Sequence, residues 1–503
     1  MAQLTGFFQG TSQADTFLGK ADTILIDDEY IGISADVLVI DSFGGDDIVE
    51  AITNISTFAV DDIPFGGTID ALGIGMTGAT VDTGRGSDTF TASSVATSKR
   101  STLSIGLRNS DIKTKGGHDS VLINGTGNVS NISGFSATGI GMRSSVLKAG
   151  AGNDTVTVNA RGSAGSQGKP SSLAIGLESS SLGGNRGEDV IQISASAVSS
   201  AFIAGGTASA TGIISDSYVS GGADNDTISI TASTQIGTRR GGGSSKATGV
   251  GISSVVWGGK GSDKITIAAS TDAVGTFGAM TEATGVLSGL VEGNGDNDTI
   301  NITAEIKSAS GAAVGINAST VSGGAGSDEI TIGVKGFTNI LPAQNFFGAL
   351  ESHILGGSGN DTITIESTYT PQTSRGGIIL NNSIGLVNSA LDGGSGDDIL
   401  TVSGLNLDLK DAVVFGGGGE DIFDTGVGSA SISGGGGQDI LKLDFFDTAT
   451  MSITQLGTNS IHILGTQDKQ GNSLDWTQTI NGVEHYEVAG ALYNATDVVA
   501  LLG

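Results

Sequence analysis

Thirteen aspartates close glycine-rich turns along this chain: Asp47, Asp88, Asp119, Asp154, Asp189, Asp226, Asp263, Asp298, Asp328, Asp361, Asp398, Asp421 and Asp439. The best-formed phrase is GGSGNDTITI at Gly356 to Ile365, with close relatives at Gly221, Gly258, Gly323 and Gly393. Glycines let the backbone take positive φ and turn its carbonyls inward, and the aspartate adds a carboxylate where the turn ends. These are hard oxygen donors. A cation that accepts roughly six to eight oxygens at flexible distances suits them, which favours calcium over magnesium with its stricter octahedron and retained water. One turn supplies too few ligands, but two turns stacked about 4.8 Å apart, the spacing of neighbouring strands, would share a cation between them. The alternative is a tight corner in which each aspartate caps its own backbone without metal. Against it, carboxylates in register one strand spacing apart repel one another unless cations intervene.

The spacing of these residues dictates what must carry them. From Asp47 to Asp398 the steps are 41, 31, 35, 35, 37, 37, 35, 30, 33 and 37 residues, about 35 on average. A fixed period of that size reads as stacked supersecondary units, not as separate globular domains. Each unit has three parts. The first is an apolar stretch built on a glycine 13 or 14 residues before the aspartate, from Gly75, Gly106 and Gly141 through Gly385, where close approach of stacked backbones or a bend is expected. The second is a short strand running into the turn. The third follows the aspartate and alternates with period two, as in Ile228 and Ile230, Ile265 and Ile267, Ile300 and Ile302, or Ile363 and Ile365. That alternation buries one face and predicts parallel, in-register ladders of isoleucine. Between the third and first strands lies a stretch of variable length, expected to project as loops from one edge; its basic residues include Arg239, Arg240 and Lys246.

Residues 1–40 hold two weak versions of the phrase, around Asp15 and Asp22, and are read as an N-terminal cap. Residues 41–404 form the solenoid of large coils. In 405–445 the step shortens to 23 and then 18 residues, twice nine, so this tract is set apart from the large coils. Residues 446–503 lose the repeat, contain Trp476, Tyr486 and Tyr493, and are expected to cap the stack. The predicted fold is therefore all-β, a parallel β-helix or β-solenoid with three strands per coil and calcium-binding glycine-rich turns along one edge.

The turns GGSGNDTIT, GGKGSDKIT, GGAGSDEIT and AGAGNDTVT resemble the nonapeptide GGxGxDxUx of RTX proteins, in which U is a large apolar residue. That resemblance implies a calcium-loaded parallel β-roll exported by type I secretion through an uncleaved C-terminal signal, which here would lie within NGVEHYEVAGALYNATDVVALLG. The sixth-position ligand carries over to Asp154, Asp263, Asp328, Asp361, Asp398, Asp421 and Asp439, with Asp88, Asp189, Asp226 and Asp298 in altered turns. Asp224 replaces a glycine before Asp226, and Arg186 reads as an intrusion before Asp189. The family places turns nine residues apart in tandem; here only the step from Asp421 to Asp439 obeys that rule, so the resemblance implies a short β-roll-like tract over 405–445 after the wider coils.

Composition narrows the partners. With 84 glycines, 4 prolines and 5% aromatic residues, the core must be thin and built from many short strands. A net charge of −29 repels nucleic acid and anionic lipid, and the acids are distributed through the turns, as expected of local ion sites. Cysteine is absent, so neither disulfides nor thiolate metal sites contribute. The start, MAQLTGFFQG, lacks a basic segment followed by a long apolar run, so no cleaved secretory signal is expected there, and no stretch approaches the length of a spanning helix, so a soluble chain exported by another signal is expected. The four histidines are scattered and no triad, phosphate loop or zinc motif appears, so no catalytic residue is assigned and a non-enzyme is expected; a polysaccharide lyase or epimerase is the enzymatic alternative. Residues three after the turn aspartate, Thr91, Thr157, Ser229, Thr266, Thr331, Thr364 and Thr401, would form a hydroxyl row able to meet ice or glycan, or merely a solvated face. The reading that follows is a secreted, calcium-binding structural protein of a cell surface or extracellular matrix, with calcium ions, copies of itself or surface polysaccharide as partners.

Overall fold

The computed structural model describes residues 4–9, 13–21, 24–26, 29–41, 44–57, 71–99, 101–130, 135–166, 168–201, 205–238, 242–274, 279–307, 311–338, 344–371 and 382–503. Among these residues nearly every element is a β-strand, with one short helix, Ala495–Leu502. The chain is an all-β parallel β-solenoid. It divides into two compact units, the first Met1–Lys260 with Ile267–Ala283 and Lys307–Ala309, the second Gly261–Thr266 with Thr284–Ile306 and Ser310–Gly503.

One coil of the first unit consists of Ser136–Arg143, Val146–Ala151 and Thr155–Ser166, the three strands that the period predicts. The third strand pairs in parallel and in register with Ser120–Ser130 on one side and Val190–Ala201 on the other. The first two strands pair likewise with their own counterparts in a second sheet. Alternation puts Val156 and Val158 against Ile191 and Ile193, and these against Ile228 and Ile230, all buried. In the second unit Ile300 and Ile302 stack on Ile330 and Ile332, and these on Ile363 and Ile365. Each such side chain removed from water contributes about 1.5–3 kcal/mol, and the ladder repeats it in every coil.

The conserved-offset glycines answer the thinness of this core. A Cβ on Gly176 would stand 2.4 Å from Cγ2 of Ile193 and 2.3 Å from the carbonyl oxygen of Gly212. In the second unit Gly315 would meet Ile332 and the carbonyl of Gly348, each at 2.4 Å. The expected close approach is thus double: coil against coil, and one sheet against the isoleucines of the other.

Between the first and second strands the chain turns at a left-handed residue ten before the aspartate: Asn109, Ser144 and Ser179 in the first unit (φ 48°, 50° and 49°), Ala318, Glu351 and Asn388 in the second (φ 48°, 50° and 47°). The next residue is a buried serine in most coils. Ser145 Oγ donates to the Arg143 carbonyl at 2.8 Å and accepts the N–H of Ser110 at 3.2 Å, and Ser352 does the same for Leu350 (2.7 Å) and Ser319 (3.1 Å). One hydroxyl satisfies backbone groups of two coils, so the corner repeats without loose polar ends.

In the second unit the coils contract toward the last strands. Leu407–Gly418 pairs with both Asn382–Val387 and Ala390–Ser395, keeping the left-handed corner at Asp411 (φ 51°), and Gly428–Gly436 pairs with it in turn, leaving two strands per coil. Beyond these, Met451–Gly457, Ser460–Gln467 and Ser473–Asn481 form an antiparallel meander whose last strand pairs with Gly428–Gly436. In the first unit Thr16–Ala21 pairs with Ile48–Thr57 in register, which places Asp15 beside Asp47; Asp22 lies outside the described residues.

Candidate metal centre

The turn ending at Asp361 shows why its glycines are required, each for a different reason. Gly357 and Gly359 take φ of 119° and 116°, and a Cβ on them would stand 1.9 and 2.0 Å from the carbonyl oxygens of Gly324 and Gly326 in the preceding coil. Gly356 has ordinary φ, but its Cβ would lie 2.5 Å from Asp361 Oδ2 and 2.4 Å from the carbonyl oxygen of Gly393 in the next coil. A carboxylate oxygen and a carbonyl oxygen therefore converge beside the first glycine, in a space that only hydrogen leaves open. The same convergence recurs at Gly184 (Asp189 Oδ2 2.2 Å, Gly221 O 2.4 Å) and at Gly416 (Asp421 Oδ2 2.3 Å, Gly434 O 2.6 Å).

The altered turns ending at Asp189, Asp226 and Asp298 keep this geometry. Asn185 and Asn294 replace the second glycine with φ of 86° and 87°, and Asp224 and Asp296 replace the third with φ of 79° and 68°, residue types that tolerate the left-handed region. Arg186 is no intrusion: it sits in register with Ala151 and Ala223, at the free position of the turn. What differs before Asp189 is Asn185.

Every turn aspartate from Asp47 to Asp439 is buried, at 0–3% exposure. In the first unit Oδ1 of Asp47, Asp88, Asp119, Asp154, Asp189 and Asp226 accepts the backbone N–H of the aspartate one coil earlier, at 2.7–2.9 Å. In the second unit Asp298, Asp328, Asp361, Asp398, Asp421 and Asp439 do the same, the series starting from the N–H of Asp263, at 2.7–3.0 Å. The aspartate does cap backbone, as the metal-free alternative requires, but the backbone of its neighbour and with only one oxygen. Oδ2 of Asp47, Asp154, Asp189, Asp298, Asp328, Asp361, Asp398, Asp421 and Asp439 is buried with no hydrogen-bond partner. At Asp88 the place is filled: Thr83, standing where other coils have the first glycine, donates its hydroxyl to Oδ2 at 2.5 Å. Thr114 stands likewise beside Asp119.

Two rungs escape the period. Asp15, read as part of a cap, donates its N–H to Asp47 Oδ1 at 2.8 Å. Glu484 receives the N–H of Asp439 on Oε2 at 3.1 Å, while Asn459 holds its Oε1 at 2.6 Å. The phrase EHYEV carries the signal, an acid followed by alternating apolar positions as in DILKL at Asp439, but no glycine turn announces it.

A buried carboxylate without a counter-charge holds its proton. Burial, reinforced by neighbouring carboxylates and opposed by the backbone hydrogen bond, pushes Asp119 and Asp189 up to about 7 and Asp298 to about 8. Asp154, Asp361, Asp398 and Asp421 are raised to about 6, desolvation again leading. Among the described residues no place gathers three or more acid or histidine side chains as a ready-made cage. Any cation here would therefore rest on ladder carboxylates supplemented by turn carbonyls. The unpartnered Oδ2 atoms and the carbonyls converging beside them fit a hard cation.

The outward hydroxyl row is present in part: Thr331, Thr364 and Thr401 are in register and half-buried, ending at Asp424. Of the basic residues expected in the loops, Lys246 lies instead in the strand Ser244–Val250 and pairs with Glu282 at 3.1 Å, and Arg239 and Arg240 lie outside the described residues. His118 Nδ1 lies 3.0 Å from the N–H of Asn153 and His462 Nε2 lies 2.7 Å from Thr477 Oγ1.

No protein-family model and no curated protein matches the chain. Among solved structures it is similar to a hyperactive, Ca2+-dependent, beta-helical antifreeze protein from an Antarctic bacterium, at 17% identity over 88% of this chain and 95% of that chain, with a TM-score of 0.27. A likeness at that level carries nothing about what this chain binds.

Proposed function

We propose that this chain is a calcium-loaded structural β-solenoid, secreted and held at a cell surface or in an extracellular matrix, where it associates with copies of itself. One observation carries the calcium reading: a buried, unpartnered carboxylate oxygen recurs at the same place in nine turns. An orphaned buried acceptor costs about 1–3 kcal/mol, more when charged, and a chain does not repeat that cost coil after coil without a ligand to offset it. Neighbouring ladder aspartates and the carbonyls of the first glycines would hold the ion, which supplies positive charge between rungs that otherwise repel. Calcium is favoured over magnesium because the donors are oxygens without a preformed octahedron.

Binding that requires the folded turns makes folding depend on calcium by mass action, so export into a calcium-rich exterior would switch the fold on. The C-terminal segment around Ala495–Leu502 is the proposed uncleaved export signal. In this reading the chain is a non-enzyme, with His118 engaged by the backbone of Asn153 and His462 by Thr477 as parts of the scaffold. Circular dichroism with and without chelator tests the proposal. The parallel-strand spectrum should weaken on calcium removal and return on adding it back; an unchanged spectrum after complete removal would sink it.

A second reading rests on the outer face of one sheet in the first unit. In the strands Thr89–Ser98, Ser120–Ser130, Thr155–Ser166, Val190–Ala201 and Thr227–Thr238, Arg161 is the single charged residue at an outward position among the described residues. In a chain of net charge −29, a repetitive hydroxyl and amide face, with Asn159 Nδ2 bonded to Asn124 Oδ1 at 3.0 Å, favours a repetitive surface such as ice or glycan. Thermal hysteresis and ice-recrystallisation assays decide the ice half of that reading.

A further inference from the structure

In the second unit a cavity of about 310 Å³ opens between the ends of strands Ile399–Gly404 and Ile422–Thr425 and the segments that carry Phe445 and Lys469. Its walls bring two lysines and three carboxylates together beside an aromatic ring. Lys469 Nζ donates to Asp408 Oδ1 at 2.5 Å, and Lys442 Nζ lies 3.3 Å from Asp424 Oδ2. Asp408, fully buried, is satisfied on both oxygens, by the N–H of Gly404 at 2.8 Å and of Val427 at 2.6 Å. It therefore fixes the position of Lys469, which remains about a third exposed with donors to spare. Thr425 is 1% exposed, lines the cavity, and its hydroxyl has no hydrogen-bond partner. Ser145 and Ser352 close a backbone carbonyl, whereas Thr102 and Thr271 share with Thr425 a buried hydroxyl without a partner; of these three, Thr425 is the one that lines this cavity.

A buried hydroxyl left unpaired beside a cavity asks for a polar ligand, since leaving it so costs about as much as a lost hydrogen bond. The volume is at the lower end of ligand pockets, roughly 300–1,000 Å³, and admits one ring-sized molecule. Two ammonium groups set against Asp408, Asp424 and Asp444 leave the cavity close to neutral, which disfavours a strongly charged guest. Paired cations and carboxylates donate to and accept from vicinal hydroxyls, and Phe445 offers an apolar ring to the C–H face of a sugar. From this arrangement we infer that the cavity binds a single uncharged pyranose, as a terminal unit or branch of a glycan, with Thr425 and Lys469 as polar contacts and Phe445 as the stacking platform. The site is independent of the cation ladder, and none of its named residues is a turn aspartate.

The test uses the full calcium-treated chain and a panel of methyl glucoside, methyl galactoside, methyl mannoside and methyl glucuronide, read by saturation-transfer NMR and titration calorimetry. At least one neutral glycoside should bind saturably. Thr425→Val keeps the shape and removes no protein hydrogen bond, so the fold should hold by circular dichroism while affinity falls about five- to tenfold, the worth of one neutral hydrogen bond. Phe445→Ala should abolish saturation transfer to the ring C–H protons. Failure of every neutral glycoside to bind at high millimolar concentration overturns the inference. So does binding that survives both substitutions unchanged, and so does tighter binding of the glucuronide or displacement by inorganic phosphate, which would mark an anion site.

Discussion

Replacing Asp361 by asparagine separates a carboxylate that serves a cation from one that serves only its turn. Asparagine keeps an oxygen where Oδ1 accepts the N–H of Asp328 at 2.8 Å, so the coil-to-coil hydrogen bond survives. What changes is Oδ2, buried and unpartnered, which becomes an amide beside the Gly393 carbonyl. With chelator at about pH 8 the wild-type group is ionised, because burial raises it to about 6 from 3.8. That rise of about two units corresponds to at most about 3 kcal/mol of disfavoured charge, and relaxation at a turn near solvent halves it to about 1–2 kcal/mol. Asp361→Asn should therefore raise the urea midpoint in chelator by an equivalent of about 1 kcal/mol. In saturating calcium the sign reverses. A rung that loses a ligand loses the linkage contribution of its site, about 2.7 kcal/mol where free calcium is a hundredfold above the dissociation constant. Urea unfolding followed by circular dichroism in both conditions gives the two signs. Stabilisation in both would mean that calcium is not bound at this rung; destabilisation in both would mean that the turn itself uses the charge.

The raised carboxylates also set the pH dependence. Their folded values of about 6 to 8 lie above the unfolded 3.8, so between these limits the folded chain holds protons that the unfolded chain has released. Calcium-free stability should thus fall as pH rises from about 4 to about 8 and level off above, and calcium binding near neutrality should release protons measurable by calorimetry in two buffers; stability that rises over that range in chelator contradicts the ladder's electrostatics. Glycine substitutions should divide by position. Gly357→Ala, at φ 119° with a Cβ 1.9 Å from the Gly324 carbonyl, should cost several kcal/mol and Gly356→Ala somewhat less, while Gly418→Ala, with nothing within 4 Å, should leave the urea midpoint within about 0.5 kcal/mol of wild type. Equal effects at Gly357 and Gly418 would refute the assigned packing. Glu484→Ala leaves the Asp439 N–H without its acceptor and should destabilise by about 1–3 kcal/mol, seen first as faster hydrogen exchange at Asp439 and Ile440. Unchanged exchange at those amides would remove Glu484 from the ladder.

The period and the strand alternation were legible because each is a local rule repeated many times. Ile363 and Ile365 announce a buried face by themselves, and the glycine offset announces that something large stands opposite. The second corner was equally regular yet went unread. The left-handed residue ten before the aspartate is Asn, Ser, Ala or Glu in different coils, so identity does not mark it; only backbone geometry does. Its serine partner was visible as a small polar residue, but while its hydroxyl donates to a carbonyl two residues back, the N–H it accepts comes from a coil about 35 residues away and cannot be seen from either coil alone. Arg186 was misread for a related reason: a large charged side chain looked like an insertion until pairing with Ala151 and Ala223 fixed the count. Glu484 was missed because an acid alone, without its glycines, is common, and Asp15, though seen as a weak form of the phrase, was counted with a cap because it stands off the 35-residue period.

The direction of the ladder bears on self-association. In the second unit each aspartate N–H points to the next coil's carboxylate, so the last rung would leave one donor open unless something closed it. Glu484 closes it, reaching with one more methylene from a strand that pairs in parallel with Ile440–Lys442. The neighbouring strand Gly428–Gly436 is closed by Ser473–Asn481, which returns antiparallel into Ser460–Gln467. An edge whose N–H groups and carbonyls are consumed in this way offers no template to another copy. Association through this end would have to displace the meander and the Glu484 hydrogen bond together, a larger loss than one new rung would return. Copies of this chain that meet through the second unit should therefore meet along its sides and not by adding coils to this end.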